Sequence, residues 1–446
     1  MSAIKASTVA IIGRPNVGKS TLFNRIVGGR AAIVDDRPGS TRDRHFGRTE
    51  WNGRGFWLID TGGLVPSSDE PMDAAIRRQV QLAVDAADLI LFLVDVEEGP
   101  TPGDQEIVEY VRRSGKSILL AVNKADNLAR DRRWMDFFEL GIGEPTAVSA
   151  ATGKGVGDLL DLIVAAMPEA GPPPDENEIQ VAIIGRPNVG KSSLVNRLLG
   201  EDRMVVSEVP GTTRDAIDTP TLYQERAINF VDTAGLRKRG KIDEAVEFYA
   251  LLRTQRAMER ADVCVLVVDA ADGLHAMDIK IAGEAWERGT GLIIAVNKWD
   301  LLADKQTQTA EEGRKEAVKR AAFLEDVPFL YISALTGQRA NKVLDAVVEA
   351  ADARQSRVQT ARVNETLREL VLKLQPPQAT GGAEVKLLYG SQVGTSPPTF
   401  AIVSSRPDKI PESYRRYLVN GLRAQFGFKG SPIRLRFTGR KRERSR

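Results

Sequence analysis

Two identical stretches, GRPNVGKS at Gly13 to Ser20 and again at Gly185 to Ser192, hold the residue types that bind the phosphates of a nucleotide. Each fits G-x-x-x-x-G-K-[ST], in which backbone N–H groups cradle phosphate oxygens, the lysine neutralises them and the hydroxyl ligates Mg²⁺. The candidates in the first copy are Gly13, Arg14, Pro15, Asn16, Val17, Gly18, Lys19, Ser20 and Thr21; in the second they are Gly185, Arg186, Pro187, Asn188, Val189, Gly190, Lys191, Ser192 and Ser193. Lys19 and Lys191 are expected against the β and γ phosphates, with Ser20 and Ser192 on the metal. Asp60 and Asp232 close the apolar runs WLID and INFVD, where a carboxylate can hold the same Mg²⁺ through water. They open DTGG (Asp60, Thr61, Gly62, Gly63) and DTAG (Asp232, Thr233, Ala234, Gly235), whose last N–H can meet a γ-phosphate and so register hydrolysis.

A third element selects the base. A carboxylate accepts two hydrogen bonds from the N1–H and N2–H₂ edge of guanine, an edge that adenine does not present. NKAD (Asn123, Lys124, Asp126) and NKWD (Asn297, Lys298, Asp300) therefore specify guanine, the asparagines bracing the loop and the lysines lying along the base. Ser149 and Ala150, and Ser333 and Ala334, follow in VSA and ISA, where the alanine N–H is expected to meet O6.

These residues need two sets of supporting elements. The phosphate loops, PGSTRD and PGTTRD, and DTGG and DTAG all pair at an offset of 172; the NKxD pair follows at 174 and the SA pair at 184. A duplicated domain is the direct reading. In each copy, short Val/Ile/Leu runs alternate with helical patterns, and the loop leaves a strand to open a helix. That predicts an α/β fold with a mostly parallel sheet and helices on both faces, the ligand lying at the carboxyl ends of the strands. The boundaries expected are 1–167 and 179–354 for the two units, 168–178 for a Pro-rich acidic linker, 355–438 for a small α+β domain and 439–446 for a basic tail. The extra length of the second unit falls after NKWD, in a polar loop and an exposed helix.

Composition bounds the rest. The chain has 446 residues and a net charge of +2, but residues 355–446 carry 18 Lys/Arg against 6 Asp/Glu while residues 1–354 carry 44 against 54. A basic end behind an acidic body points to a polyanionic partner. Neither a signal peptide nor a membrane-spanning apolar run is evident, which leads to an expectation of a soluble, cytoplasmic protein. One cysteine, Cys264 in an apolar strand, and two histidines far apart, His45 and His275, give little support to disulfide or histidine-metal chemistry.

The order GxxxxGKS, TRD, DxxG, NKxD, SA, present twice and followed by a basic α+β domain, resembles the bacterial Der family of double Era-like GTPases, also called EngA. The resemblance covers nearly the whole chain. It implies two tandem G domains, a C-terminal domain of KH-like topology, GTP hydrolysis at two Mg²⁺-dependent sites and a role in assembly of the large ribosomal subunit on rRNA, with a monomer expected. It also implies a metal ligand in the first switch, assigned to Thr41 and Thr213. Ras-like enzymes follow DxxG with a water-orienting glutamine, yet Leu64 and Leu236 stand here. In GTPases that share the GRPN loop, an asparagine at the position of Asn16 and Asn188 resembles a K⁺ ligand, the cation taking the place of an arginine finger; the alternative is that these asparagines stabilise the turn.

Behind DTAG, LRKRGK (Leu236 to Lys241) is read either as an RNA contact or as a solvated switch surface. In the last domain, GFKG (Gly427 to Gly430) leads from a helix into a strand, not between two helices, so it is read as a helix cap and turn. RNA contact is assigned on charge to Arg415, Arg416, Arg423, Arg434 and Arg436, while Tyr414, Tyr417, Phe426 and Phe428 fit either base stacking or a core. Two rival functions are a GTPase controlling tRNA modification, against which the last domain offers no Cys or His, and a membrane-associated GTPase, against which the tail lacks an apolar face.

Overall fold

The computed structural model describes residues 6–28, 46–62, 80–126, 132–168, 177–200, 204–206, 218–233, 244–302, 307–377 and 384–439. The chain divides into two compact units, residues 1–173 with 240–256, and residues 174–239 with 257–446.

In the first unit, β1 (Ser7–Ile12), β2 (Phe46–Trp51), β3 (Arg54–Asp60), β4 (Leu89–Asp95), β5 (Ser117–Asn123) and β6 (Pro145–Ala147) form one sheet in the order β2-β3-β1-β4-β5-β6. All pairings are parallel except β2 with β3. Every residue of β1 and of β4 is buried, as continuous apolar strands require when helices cover both faces. Alternation sends Val9 and Ile11 into one core and Ala10 and Ile12 into the other. Helices α1 (Lys19–Gly28), α2 (Pro102–Arg112) and α3 (Val156–Ala166) flank this sheet.

The second unit repeats the plan with β7 (Ile179–Ile184), β8 (Met204–Val206), β9 (Thr219–Tyr223), β10 (Arg226–Val231), β11 (Val263–Asp269), β12 (Gly291–Asn297) and β13 (Phe329–Tyr331), in the order β13-β12-β11-β7-β10-β9-β8. Here β8 and β9 run antiparallel on the edge. Its helices include α4 (Lys191–Leu199), α5 (Ala276–Arg288), α6 (Thr307–Arg320) and α7 (Asn341–Gln355). Helix α6 is the insertion after NKWD; residues 311–316 are exposed and Ala317 is its buried anchor.

A third domain in this same unit consists of α8 (Thr360–Lys373), β14 (Leu387–Gly394), β15 (Thr399–Ser404), α9 (Glu412–Phe426) and β16 (Arg434–Gly439). Its sheet is ordered β14-β15-β16, antiparallel then parallel. Val363, Leu367, Phe400, Ile402, Leu418 and Leu422 form its own core. It docks at the strand ends opposite the phosphate loop, where β12 begins. The turn after α9 places Gly427 at φ 86° and Gly430 at φ 69°, and Gly430 accepts from the Leu292 N–H (2.8 Å) and donates to the Asp326 carbonyl (3.0 Å). GFKG is thus a cap and turn that bonds the first residues of β12 and the segment before β13.

Arg423 seals the same seam. Its guanidinium donates to the Phe428 carbonyl and to the Ser431 carbonyl (2.8 Å), its Nε lies 2.9 Å from Asp326 Oδ2, and it packs 5.6 Å from the centre of the Trp286 ring. Burial lowers the Arg423 pKa and raises that of Asp326, and the charge of each offsets part of the other's shift. Replacing Arg423 by Ala should therefore destabilise this unit by about 2–4 kcal/mol, since Asp326 and two carbonyls lose their partner. A lower urea midpoint checks this.

Candidate guanine-nucleotide sites

Each phosphate loop runs from the end of a buried strand into a helix whose lysine turns back over the loop. Lys19 Nζ donates to the carbonyls of Gly13 (2.9 Å) and Arg14 (2.7 Å); Lys191 Nζ does the same to Gly185 (2.7 Å) and Arg186 (2.6 Å). Desolvation pulls both ammonium groups down to about 8, offset in part by Asp60 for Lys19 and by Asp278 for Lys191. Asn16 and Asn188 are exposed at φ 64°, a left-handed turn conformation that asparagine tolerates.

The loop is tied to the base-recognition segment by the NKxD asparagines. Asn123 Nδ2 donates to the Val17 carbonyl (2.8 Å) and its Oδ1 accepts from the Ala150 N–H (2.9 Å); Asn297 links Val189 and Ala334 in the same way, at 2.9 Å on both sides. Each asparagine thus bridges the phosphate loop and the SA loop. The alanine N–H expected at O6 is held by the asparagine in this structure. This packing explains Gly18 and Gly190, at φ 96° and 97°: a Cβ on either would fall 2.2 Å from the asparagine Nδ2. Gly190→Ala combines that clash with a strained φ, so nucleotide affinity at the second site should fall about 100-fold. Calorimetric titration with GDP should then count one tight site where the unaltered chain shows two.

At the metal end, Asp60 is buried and its Oδ1 accepts from the Gly62 N–H (2.8 Å), while Thr61 Oγ1 donates to the Ile11 carbonyl (2.8 Å). A Cβ on Gly62 would lie 3.1 Å from Asp60 Oδ1, 3.2 Å from Ser20 Oγ and 3.3 Å from Lys19 Cε, so carboxylate, hydroxyl and the lysine side chain converge on one point. That donor set, two hard oxygens beside a phosphate loop, fits Mg²⁺. The second copy differs: Asp232 takes a left-handed backbone (φ 58°), its N–H donates to Asp218 Oδ1 (3.0 Å), and Thr233 bonds Thr219 (2.9 Å). Thr41, Thr213, Gly63, Leu64, Ala234, Gly235 and residues 236–241 lie outside the described residues, as do His45, most of the linker (169–176) and residues 440–446 of the tail.

At the base end, Asp126 Oδ1 accepts from Ser149 Oγ (2.5 Å) and the Asp126 side chain is exposed. Lys124 and Lys298 stand in left-handed conformations at φ 63° and 61°. Their ammonium groups pair with Asp95 (2.5 Å) and Asp269 (2.6 Å), the last residues of β4 and β11. The motifs do not include those aspartates, nor two arginines that support the same loops. Arg25 donates to the carbonyls of Ala150 and Ala151, and Arg197 to those of Ala334 and Leu335, clamping the SA loop onto the phosphate-loop helix. The signal that could have found them is the repeat itself, because the aspartates recur at the NKxD offset of 174 and the arginines at the phosphate-loop offset of 172.

The basic residues of the third domain separate into two groups. Arg423 and Arg434 face inward, Arg434 donating to the carbonyls of Glu287 (3.0 Å) and Arg288 (2.6 Å). Arg416 and Arg436 are exposed, and Arg415 bonds the Ile410 carbonyl (3.2 Å) with its guanidinium 4.9 Å from the Phe437 ring centre. Tyr414, Tyr417, Phe426 and Phe428 pack in or against the core, and Tyr414 and Tyr417 donate to the Leu374 and Leu370 carbonyls.

Residues 8–124 and 180–298 match the family model described as 50S ribosome-binding GTPase, and residues 357–438 match that described as the KH-domain-like C-terminal region of EngA bacterial GTPase enzymes. A GTPase Der of Gemmatimonas aurantiaca is 53% identical over 96% of this chain and 97% of its own. The chain belongs to the Der GTPase family. Other Der relatives, from Caldanaerobacter subterraneus subsp. tengcongensis and Moorella thermoacetica, are each 48% identical, over 95% and 98% of this chain and 97% and 99% of theirs. Among solved structures, a point variant of Aquifex aeolicus Era bound to GDP·AlF4⁻ aligns with 59% of this chain and 93% of its own at 23% identity, with a TM-score of 0.30. As a Der GTPase the protein hydrolyses GTP at two sites, one in each G domain. No described helix is long and apolar enough to cross a membrane.

Proposed function

We propose that the chain acts in assembly of the large ribosomal subunit, as a monomeric cytoplasmic switch whose two GTPase sites set its domain arrangement on rRNA. The observation that carries this reading is the pair of matches to a 50S ribosome-binding GTPase model, joined to a basic C-terminal domain with Arg416 and Arg436 exposed. Arg415 extends that surface, and the basic tail adds positive charge in the sequence. Arg423 and Arg434 support it indirectly, by holding the domain in place. The domains act as 1–167, 179–354 and 355–438, with linker 168–178 and tail 439–446.

The chemistry follows from the residues. Lys19 and Lys191, held by the loop carbonyls, present their ammonium groups to the β and γ phosphates, while Asp126 and Asp300 hold the guanine edge. Ser20 with Asp60, and Ser192 with Asp232, would hold Mg²⁺, completed by Thr41 and Thr213; the ion supplies charge neutralisation at the transferring phosphoryl group. Asn16 and Asn188 would hold K⁺ beside the phosphates, in the absence of a glutamine after either DxxG. Two nucleotide sites couple if each nucleotide favours one domain arrangement.

The test is gradient co-sedimentation of the protein with large ribosomal subunits at fixed salt, in GDP and in a non-hydrolysable GTP analogue, repeated with the chain cut after Val358. Binding that requires the analogue and the last domain supports the reading; absence of binding in every state, with guanine binding intact, overturns it.

A further inference from the structure

Arg14 and Arg186 occupy the second position of the two phosphate loops, a place where the G-x-x-x-x-G-K-[ST] pattern accepts any residue. Both side chains leave the loop and reach a carboxylate. Arg14 Nε lies 2.9 Å from Asp104 Oδ1, and Arg186 Nε lies 3.1 Å from both oxygens of Asp278. Asp104 and Asp278 are fully buried in the first turns of α2 and α5, and each also accepts from the backbone N–H of the residue preceding its helix, Thr101 (3.1 Å) or His275 (2.9 Å). Around these pairs the copies diverge, PTPGD in one and LHAMD in the other. The Arg–Asp contact is nevertheless built twice.

We propose that Arg14 and Arg186 are positioning residues, each fixing through Asp104 or Asp278 the backbone carbonyl on which the loop lysine rests. The link is short: the Arg14 carbonyl accepts from Lys19 Nζ at 2.7 Å and the Arg186 carbonyl from Lys191 Nζ at 2.6 Å. A carboxylate buried this completely needs its cation, so the loop cannot drift without exposing a large electrostatic cost. The lysine must follow charge as it moves onto the leaving phosphate oxygens in the transition state, so an error in its position reduces turnover more than ground-state binding. The two clamps differ in one respect. Arg14 has a second partner in Glu98 at 2.6 Å, whereas Arg186 reaches Asp272 at only 3.4 Å. The first loop is therefore held from two points and the second mainly from one. This inference rests on GTP hydrolysis alone and is independent of any ribosomal role.

The experiment uses the full chain with one site silenced, Lys191→Ala to read the first site and Lys19→Ala to read the second. In the first background, Arg14→Ala should lower kcat about 10- to 30-fold while the Kd for GDP changes less than about threefold, and Arg14→Lys, which keeps the charge without the planar fork, should recover part of that loss. Arg186→Ala should behave alike in the second. Glu98→Gln removes only the outer, half-exposed contact and leaves the fold intact; it should lower kcat at the first site about threefold, a larger effect than Asp272→Asn has at the second. A kcat unchanged in both Arg14→Ala and Glu98→Gln, or a thermal stability that falls in Arg14→Ala with no change in kcat, overturns the proposal and reduces the pairs to fold stabilisation. Should Arg14→Ala fail to fold, the kcat of Glu98→Gln decides alone.

Discussion

Asp126→Asn should weaken GDP binding at the first site by about a thousandfold or more, while binding of xanthosine diphosphate rises. The carboxylate of Asp126 is exposed and fixed from the side by Ser149 Oγ at 2.5 Å, leaving acceptor capacity for the N1–H and N2–H₂ of guanine. An amide in its place offers one oxygen and one NH₂. The NH₂ then opposes the guanine amino group, two donors face each other in a desolvated contact, and the cost is that of unpaired polar groups, not merely of a lost bond. Xanthine carries a carbonyl where guanine carries that amino group, so the amide NH₂ gains a partner. Asp300→Asn should transfer the same change to the second site, because Asn297, Lys298 and Ala334 repeat the geometry of Asn123, Lys124 and Ala150. Calorimetry with both diphosphates on each single variant checks this; unchanged GDP affinity in Asp126→Asn would remove the carboxylate from base recognition.

Much of this site was legible because phosphate binding constrains consecutive residues. The loop, DxxG, NKxD and SA segments all lie at strand ends, so a sequence that alternates apolar strands with helices also gives their spatial order. The contacts that hold those segments together were less legible. Arg25 and Arg197 act on carbonyls of the SA loop, 125 and 137 residues away, and a carbonyl leaves no trace in a side-chain pattern. The antiparallel edge shows both cases. Between β2 and β3 the turn is Asn52-Gly53 at φ 49° and 76°, a hairpin signal open to reading from the sequence. Between β9 and β10 the same turn is made by Gln224 and Glu225 at φ 48° and 63°, residues that disfavour this conformation, and only sheet pairing imposes it. The arginines of the last domain show the limit of charge counting. Arg423 and Arg434 have the same charge as Arg416 and Arg436, but two are turned toward the second G domain by carbonyls and Asp326, and no composition distinguishes the pairs.

Nucleotide binding should take up protons at Lys19 and Lys191 as the pH rises through about 8. The free sites hold Lys19 and Lys191 at about 8 because burial penalises the ammonium, against 10.5 in an unfolded chain. Diphosphate or triphosphate oxygens favour the charged form, so the complex keeps its protons well above that value. Below about pH 7 both lysines are charged with and without nucleotide, and they contribute no pH dependence to affinity. Between pH 8 and the pKa of the complex, each site must gain a proton to bind, and its affinity falls by up to about tenfold per pH unit. Stability of the unliganded protein runs the other way. Its folded-state pKa is depressed for a base, so the penalty of burying two charges is fully present below about pH 8 and is relieved as pH rises from there toward 10.5, where the unfolded chain binds more protons than the folded one. The same two groups thus make the empty protein gain stability and lose ligand over one pH window. Calorimetry of GDP binding at about pH 8.5 in two buffers of different ionisation enthalpy should report uptake of about 1.5 protons per chain, falling to about half in Lys19→Ala, which retains one intact site. No uptake at that pH would mean that the lysines are charged before the nucleotide arrives, and that the carbonyls of Gly13, Arg14, Gly185 and Arg186 stabilise the ammonium more than burial penalises it.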